Sequence, residues 1–194
     1  FTTEDGVEIA GLYKKVPHAR ATILFCGGFY PGQKEGMISY YPYFNDGTYN
    51  MLFYDARGHG ESKGKFLSAL EQYGKHDYKD VIAALDFAQQ QSSAPIFLHT
   101  ICIGSFHTVR ALSILKDEGR INDYPIIGMV IDSGITSLRS AMKIPAMHIR
   151  EKVLPGYLAN MLYGTSNKIT KKNAQVSLPF YLIDYTLIPL INGW

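Results

Sequence analysis

The 194-residue chain has only two cysteines, Cys26 and Cys102, too few for the disulfide framework of a small secreted scaffold. It has no excess of either charge: 19 Lys+Arg stand against 17 Asp+Glu, a formal net charge of +2. A polyanion-binding surface normally shows a basic excess or basic runs, so nucleic acid is not an expected partner. No stretch approaches the roughly 20 continuous apolar residues of a membrane span. The opening Phe1-Thr2-Thr3-Glu4-Asp5 has neither a charged start nor an apolar signal stretch. There is no G-x-G-x-x-G after the first buried run and no P-loop lysine motif. His, Cys and carboxylates show no zinc-type spacing, so neither a metal nor another cofactor is expected. The Lys168–Lys172 cluster is short and reads as a solvated loop. What is present is 46% apolar and 19% charged residues, enough for a real core in one domain of ordinary length. A cytoplasmic globular protein is the expectation.

Apolar runs of strand length alternate with helical patterns. Val7–Tyr13 alternates with period two, as a half-buried strand does. Ala21–Cys26 is continuously apolar and stops at Gly27-Gly28. Similar runs are Asn50–Tyr54, Pro95–His99, Ile126–Ile131 and Pro179–Ile183. Strands read this way when a parallel sheet is covered on both faces. Between them Tyr78, Val81, Ile82 and Leu85 fall at helical spacing, with Asp77 as a candidate N-cap. A second helix runs from about Ile103 to Leu115, with Gly119 suited to its C-terminal stop. The alternation predicts a three-layer α/β/α domain with a mostly parallel central sheet, 1–194 as one domain. Residues 136–178 form the one long connection without a clear strand. Met142, Ile144, Met147, Leu158 and Met161 suit either a covering helix or a lid over a substrate pocket.

The sharpest chemical signal is Leu98-His99-Thr100-Ile101-Cys102-Ile103-Gly104, where a buried strand meets a helix. A nucleophile on so tight a turn needs small residues two before and two after it, because larger side chains collide. With Cys102 as nucleophile those positions are Thr100 and Gly104, of which Gly104 fits and Thr100 is larger than usual. The following helix would point its positive N-terminal end at Cys102. The competing reading is a buried cysteine serving as a small hydrophobe.

Two further segments make the pattern specific. Phe25-Cys26-Gly27-Gly28-Phe29 ends the earlier strand, and Asp55-Ala56-Arg57-Gly58-His59-Gly60-Glu61-Ser62 follows the next one. The latter resembles the D-x-R-G-H-G-x-S turn after the fourth strand of α/β-hydrolases. With Thr3-Glu4-Asp5-Gly6-Val7, these motifs occur in the order and spacing of that superfamily from about Thr2 to Ser133. The cysteine in place of serine resembles dienelactone hydrolases and other cysteine-bearing branches. The resemblance implies that Cys102 attacks an acyl carbonyl. It also implies that the backbone N–H groups of Ile103 and of Gly28 or Phe29 form the oxyanion hole. Arg57, His59 and Ser62 would brace loops.

The resemblance further implies an acid after the seventh strand and a histidine after the eighth. In the stretch Pro179–Pro189, Tyr185 stands where the acid belongs and the interval between the prolines is shortened, which makes Asp184 the acid candidate. Asp132 is the alternative, because some lipase branches keep the acid after the sixth strand. No histidine follows His148, so the sequence holds no counterpart of the family's base; His99 and His107 fall where the family has none. Two readings stay open: a hydrolase of ester, thioester or related acyl bonds whose last strand and helix lie outside this sequence, or a catalytically inactive binding protein on the same scaffold. For the first, the expected substrate is a small molecule with a hydrophobic acyl group. Cys26 and Cys102 are expected on neighbouring strands, with their sulfurs approaching one pocket.

Overall fold

Strand β2 (Ala21–Cys26) is buried at all six positions because both of its faces are covered. It lies inside a six-stranded sheet with β1 (Gly11–Lys14), β3 (Tyr49–Tyr54), β4 (Ile96–Ile101), β5 (Ile126–Asp132) and β6 (Thr186–Ile188). The order across the sheet is β1-β3-β2-β4-β5-β6. The three central pairings are parallel, and β1 and β6 add antiparallel at the edges. This is the expected three-layer, mostly parallel architecture. The computed structural model describes residues 1–28, 33–65 and 75–134 and the backbone of 186–188. The chain divides into two compact units, Phe1–Gly134 with Ile183–Trp194, and Ile135–Leu182.

Alternation along the strands builds two cores. Leu24, Cys26, Leu52, Tyr54, Ile96 and Leu98 face helices α3 (Tyr78–Gln91) and α4 (Ile103–Asp117). Val81, Leu85 and Ala88 of α3 and Ala111 and Leu115 of α4 complete that layer. Each fully buried aliphatic side chain contributes about 1.5–3 kcal/mol. On the opposite face Ile23, Phe25, Met51 and Phe53 meet the short helices α1 (Lys34–Ile38) and α2 (Tyr41–Phe44) through Met37, Ile38 and Phe44. Asp77 does stand at the N-cap of α3, but its side chain makes no capping bond; backbone turns start the helix instead. Gly119 ends α4 as expected, at φ +72°, with the Arg120 N–H donating to the Leu115 carbonyl at 2.7 Å.

The run Val7–Tyr13 is a strand only from Gly11. The backbone of its first half pairs antiparallel with Phe1–Thr3 on one side, with Ile9 N–H donating to the Phe1 carbonyl at 2.8 Å and Thr3 N–H to the Val7 carbonyl at 2.9 Å, and meets the turn after β3 on the other. Ala10 N–H donates to Ser62 Oγ, the Ala10 carbonyl accepts from Asp55 N–H, and the Glu8 carbonyl accepts from Lys63 N–H. Period-two alternation survives because bonds on both edges hold the segment extended. Pro179–Ile183 and the segment 136–178 lie outside the described residues. The backbone strand that is described near the C-terminus, Thr186–Ile188, runs antiparallel to β5. Among the described residues no helix is long and apolar enough to cross a membrane.

Candidate active site

β3 and β4 lie on opposite sides of β2, so the C-terminal ends of β2 and β4 border a switch point of the sheet. Open α/β sheets hold ligands in that crevice. The end of β2 delivers Gly27-Gly28 there, and the end of β4 delivers Cys102. The Cα register from Thr22 against Ile96 to Cys26 against Thr100 sets the two ends side by side.

Cys102 joins β4 to α4 with φ +53° and ψ −124°. A non-glycine residue held there costs about 1–3 kcal/mol and persists only where its surroundings impose it. The surroundings are visible. Cys102 N–H donates to the Asp132 carbonyl at 2.9 Å, and its own carbonyl accepts from Ser105 N–H at 3.1 Å and Ser105 Oγ at 2.5 Å. The small-residue requirement holds strictly on one side. A Cβ on Gly104 would lie 2.3 Å from the Gly27 carbonyl oxygen and 2.4 Å from that of Cys26. On the other side Thr100 is accommodated, fully buried, by donating its hydroxyl to the Val130 carbonyl at 2.9 Å.

Gly28 stands against the turn: a Cβ added to it would lie 3.0 Å from Cys102 Cβ and 3.8 Å from Sγ. Ile103 opens α4, and the first N–H groups of a helix have no intrahelical acceptor. The structure thus brings together Cys102, Ile103 and Gly28, three of the four residues selected from sequence. The fourth, Asp184, lies outside the described residues, as do Phe29 and His148. Asp132 ends β5 beside the turn. Its carboxylate accepts from Tyr40 Oη at 3.2 Å and Ser133 Oγ at 3.0 Å, while its carbonyl holds Cys102.

The two histidines near Cys102 in sequence are packed side chains. His99 sits among the rings of Phe25, Tyr40 and Phe44, and its buried Nδ1 has no hydrogen-bond partner among the described residues. Burial lowers its pKa against the opposing pull of Asp132. His107 is buried in α4, and burial lowers its pKa too. Cys26 and Cys102 are both free thiols on neighbouring strands, but the expected shared pocket is not what forms. Cys26 turns into the core, where Thr108 and Tyr54 are its hydrogen-bonding neighbours and burial pushes its pKa up to about 11.

The turn after β3 braces the site. Arg57 is buried, donating from N and Nε to Asp80 at 2.9 and 2.8 Å and from its terminal nitrogens to Asp5 at 2.9 and 3.1 Å. Burial opposes its charge, but the bonds to Asp5 and Asp80 hold its pKa above the ordinary value. Ser62 Oγ donates to the Asp55 carbonyl at 2.7 Å. Sequence reasoning missed Lys34, a buried lysine paired with Asp55 at 2.9 Å. The one available signal was Asp55 itself, an acidic residue ending a buried strand and needing a cation. Among the described residues no cluster of metal-ligating side chains occurs.

With this geometry the chain has the α/β-hydrolase fold, and solved structures share it. The esterase Pf2001 of Pyrococcus furiosus superposes with a TM-score of 0.65 at 21% identity, over 88% of this chain and 60% of its own. Est1E of Butyrivibrio proteoclasticus, solved with ferulic acid bound, gives 0.55 at 19% identity, over 78% of this chain and 56% of its own. The bottromycin epimerase BotH, in complex with bottromycin A2, gives 0.55 at 16% identity, over 89% and 71%. This chain therefore spans about 60% of the length of the esterase Pf2001. No protein-family model matches the sequence, and no curated protein matches it. One scaffold thus carries esterases and an epimerase, so chemistry has to be argued from the site.

Proposed function

We propose that the protein is a hydrolase that cleaves an ester, thioester or related acyl bond through Cys102. The observation that carries this reading is the strained Cys102 backbone at φ +53°, imposed at the switch point beside Gly28 and the start of α4. Strain of this kind is kept where it presents a side chain for chemistry. In the reaction Cys102 Sγ attacks the acyl carbon, and charge collects on the carbonyl oxygen. The Ile103 and Gly28 N–H groups stabilise that oxyanion, each such donor contributing on the order of 3 kcal/mol in enzymes of this type. Collapse expels the alcohol or thiol, and water then attacks the thioester to release the acid and free Cys102.

Two carboxylates compete for the orienting role. Asp184 is assigned it on sequence, and Asp132 is supported by its place beside the turn with Tyr40 and Ser133 as hydrogen-bond donors. The acyl group is proposed to be hydrophobic, on the strength of the methionine-rich segment 136–178. The test is acylation by p-nitrophenyl esters from acetate to decanoate, with the acyl-enzyme mapped by mass spectrometry. The expected result is a Cys102 adduct, absent in Cys102→Ala, that forms faster with longer acyl chains. Turnover unchanged by Cys102→Ala would remove the nucleophile, and no turnover at all would favour a binding protein. Loss of activity in Asp132→Asn but not in Asp184→Asn would decide between the carboxylates.

A further inference from the structure

Lys34 is the first residue of α1, a five-residue helix too short to hold its place by propensity alone. It is only 4% exposed although it carries a full charge. Its backbone N–H donates to Asp55 Oδ1 at 2.6 Å and its ammonium to Asp55 Oδ2 at 2.9 Å. The ammonium also reaches Glu61 at 2.6 Å and Glu35 at 3.2 Å. Asp55 is fully buried and accepts Glu61 N–H as well, at 2.9 Å. Both oxygens of one buried carboxylate thus grip the main chain and the side chain of the same residue. A buried ion pair is weak evidence for stability, because desolvation offsets most of its attraction. Position is what it fixes well.

What the grip positions can be followed atom by atom. One turn along α1, Met37 is buried and lies over Gly27, where a Cβ would meet its Cγ at 3.4 Å. On its other side the Gly27 carbonyl presses against Gly104, and the next residue, Gly28, stands against Cys102. The Gly27-Gly28 backbone is therefore held between α1 and the nucleophile turn. No side chain of its own anchors it. We propose that the Lys34–Asp55 clamp, acting through α1 and Met37, is the positioning device that keeps the Gly28 N–H aimed at the oxyanion; this rests on the acyl-transfer reading of Cys102.

Acyl transfer needs that donor. Alkylation of the thiolate by iodoacetamide does not, because displacement at a saturated carbon forms no oxyanion. The experiment compares the two reactions at Cys102 in the intact protein, for the parent, Lys34→Met, Lys34→Arg and the double variant Lys34→Met/Asp55→Asn. The double variant removes the buried charge from both sides and carries the test should Lys34→Met fail to fold. Expected for Lys34→Met and the double variant is at least a tenfold fall in the acylation rate by p-nitrophenyl acetate. KM and the alkylation rate should stay within twofold, and Lys34→Arg should recover much of the acylation. An acylation rate that does not fall, or one that falls only in step with alkylation, would overturn the clamp's positioning role while leaving Cys102 as nucleophile. A parent protein whose acylation does not depend on Cys102 would overturn the acyl-transfer reading and the clamp together.

Discussion

Replacing Gly104 by Ala sets two opposed effects against each other. Gly104 lies in the first turn of α4, where alanine is favoured over glycine by about 1 kcal/mol. The added methyl, however, would meet the Gly27 oxygen at 2.3 Å, the Cys26 oxygen at 2.4 Å and the Cys26 carbonyl carbon at 2.9 Å. Comfortable separations are roughly 3.5 Å, so about 1 Å of movement is required. All three atoms are backbone, at the end of a strand buried on both faces, and none can swing away as a side chain would. Overpacking of this kind costs about 1–3 kcal/mol and more where relaxation is blocked. The net expectation is a loss of about 2 kcal/mol, a fall in Tm of about 4–8 °C for a chain of this length. Gly119→Ala is the comparison: its φ is +72° but its surroundings are open. It should lose only the conformational term, about 1–2 kcal/mol. Thermal and urea unfolding followed by far-UV circular dichroism measure both, and acylation of Cys102 should fall only for Gly104→Ala. A Gly104→Ala protein as stable as the parent would refute the close approach of α4 to the end of β2.

Cys102→Gly should raise unfolding stability by about 1 kcal/mol, since glycine relieves the strain at φ +53°; a lower urea midpoint would contradict that. Arg57→Met leaves Asp80 buried without its cation and should cost about 3–5 kcal/mol in urea unfolding, a loss under 1 kcal/mol being incompatible with the geometry. In the native protein iodoacetamide should modify Cys102 and spare Cys26, with two modified thiols only after unfolding. Cys26 also fixes the sign of an alkaline effect: its pKa is about 11 folded against 9.0 for an ordinary thiol. Its contribution is intact below pH 9 and lost as pH rises towards 11, on the order of 2 kcal/mol. Stability curves of the parent and Cys26→Ala that stay parallel over that window would count against it.

The parts of this fold that read clearly from sequence are those where one physical requirement dominates. Ala21–Cys26 is apolar but for Thr22 because helices cover both faces, and no other common element of six residues demands that. Gly104 and the strand-helix junction at Cys102 were legible because backbone crowding leaves few residue choices. Arg57, His59 and Ser62 were legible as braces through the resemblance of their turn to that of the α/β-hydrolases. The start of β1 was not, because Val7–Ala10 pairs instead with Phe1–Thr3 and with Asp55, Ser62 and Lys63, some 45 to 55 residues away. Helices α1 and α2 carry no periodic signal in four or five residues, and the Lys34–Asp55 contact that joins α1 to the end of β3 leaves no local pattern either. Cys26 was misplaced relative to Cys102 because pairing of strands sets neighbours, while the face a side chain takes follows from register.

The pairing of β2 with β4 has a consequence for how the protein is made. Thr22 meets Ile96 only after β3 and α3 have been synthesised, whereas β1, β3 and β2 can join into one sheet from the first 54 residues alone. Until β4 emerges, β2 offers an open edge of six residues, apolar but for Thr22, the type of surface that recruits other chains. Closing that edge is a long-range event and hence slow. The same event brings Cys102 beside Gly28, so the strand-helix turn at Cys102 takes shape in the step that covers the β2 edge. Slower synthesis between residues 54 and 101 lengthens that exposure; a chaperone that shields the β2 edge shortens it.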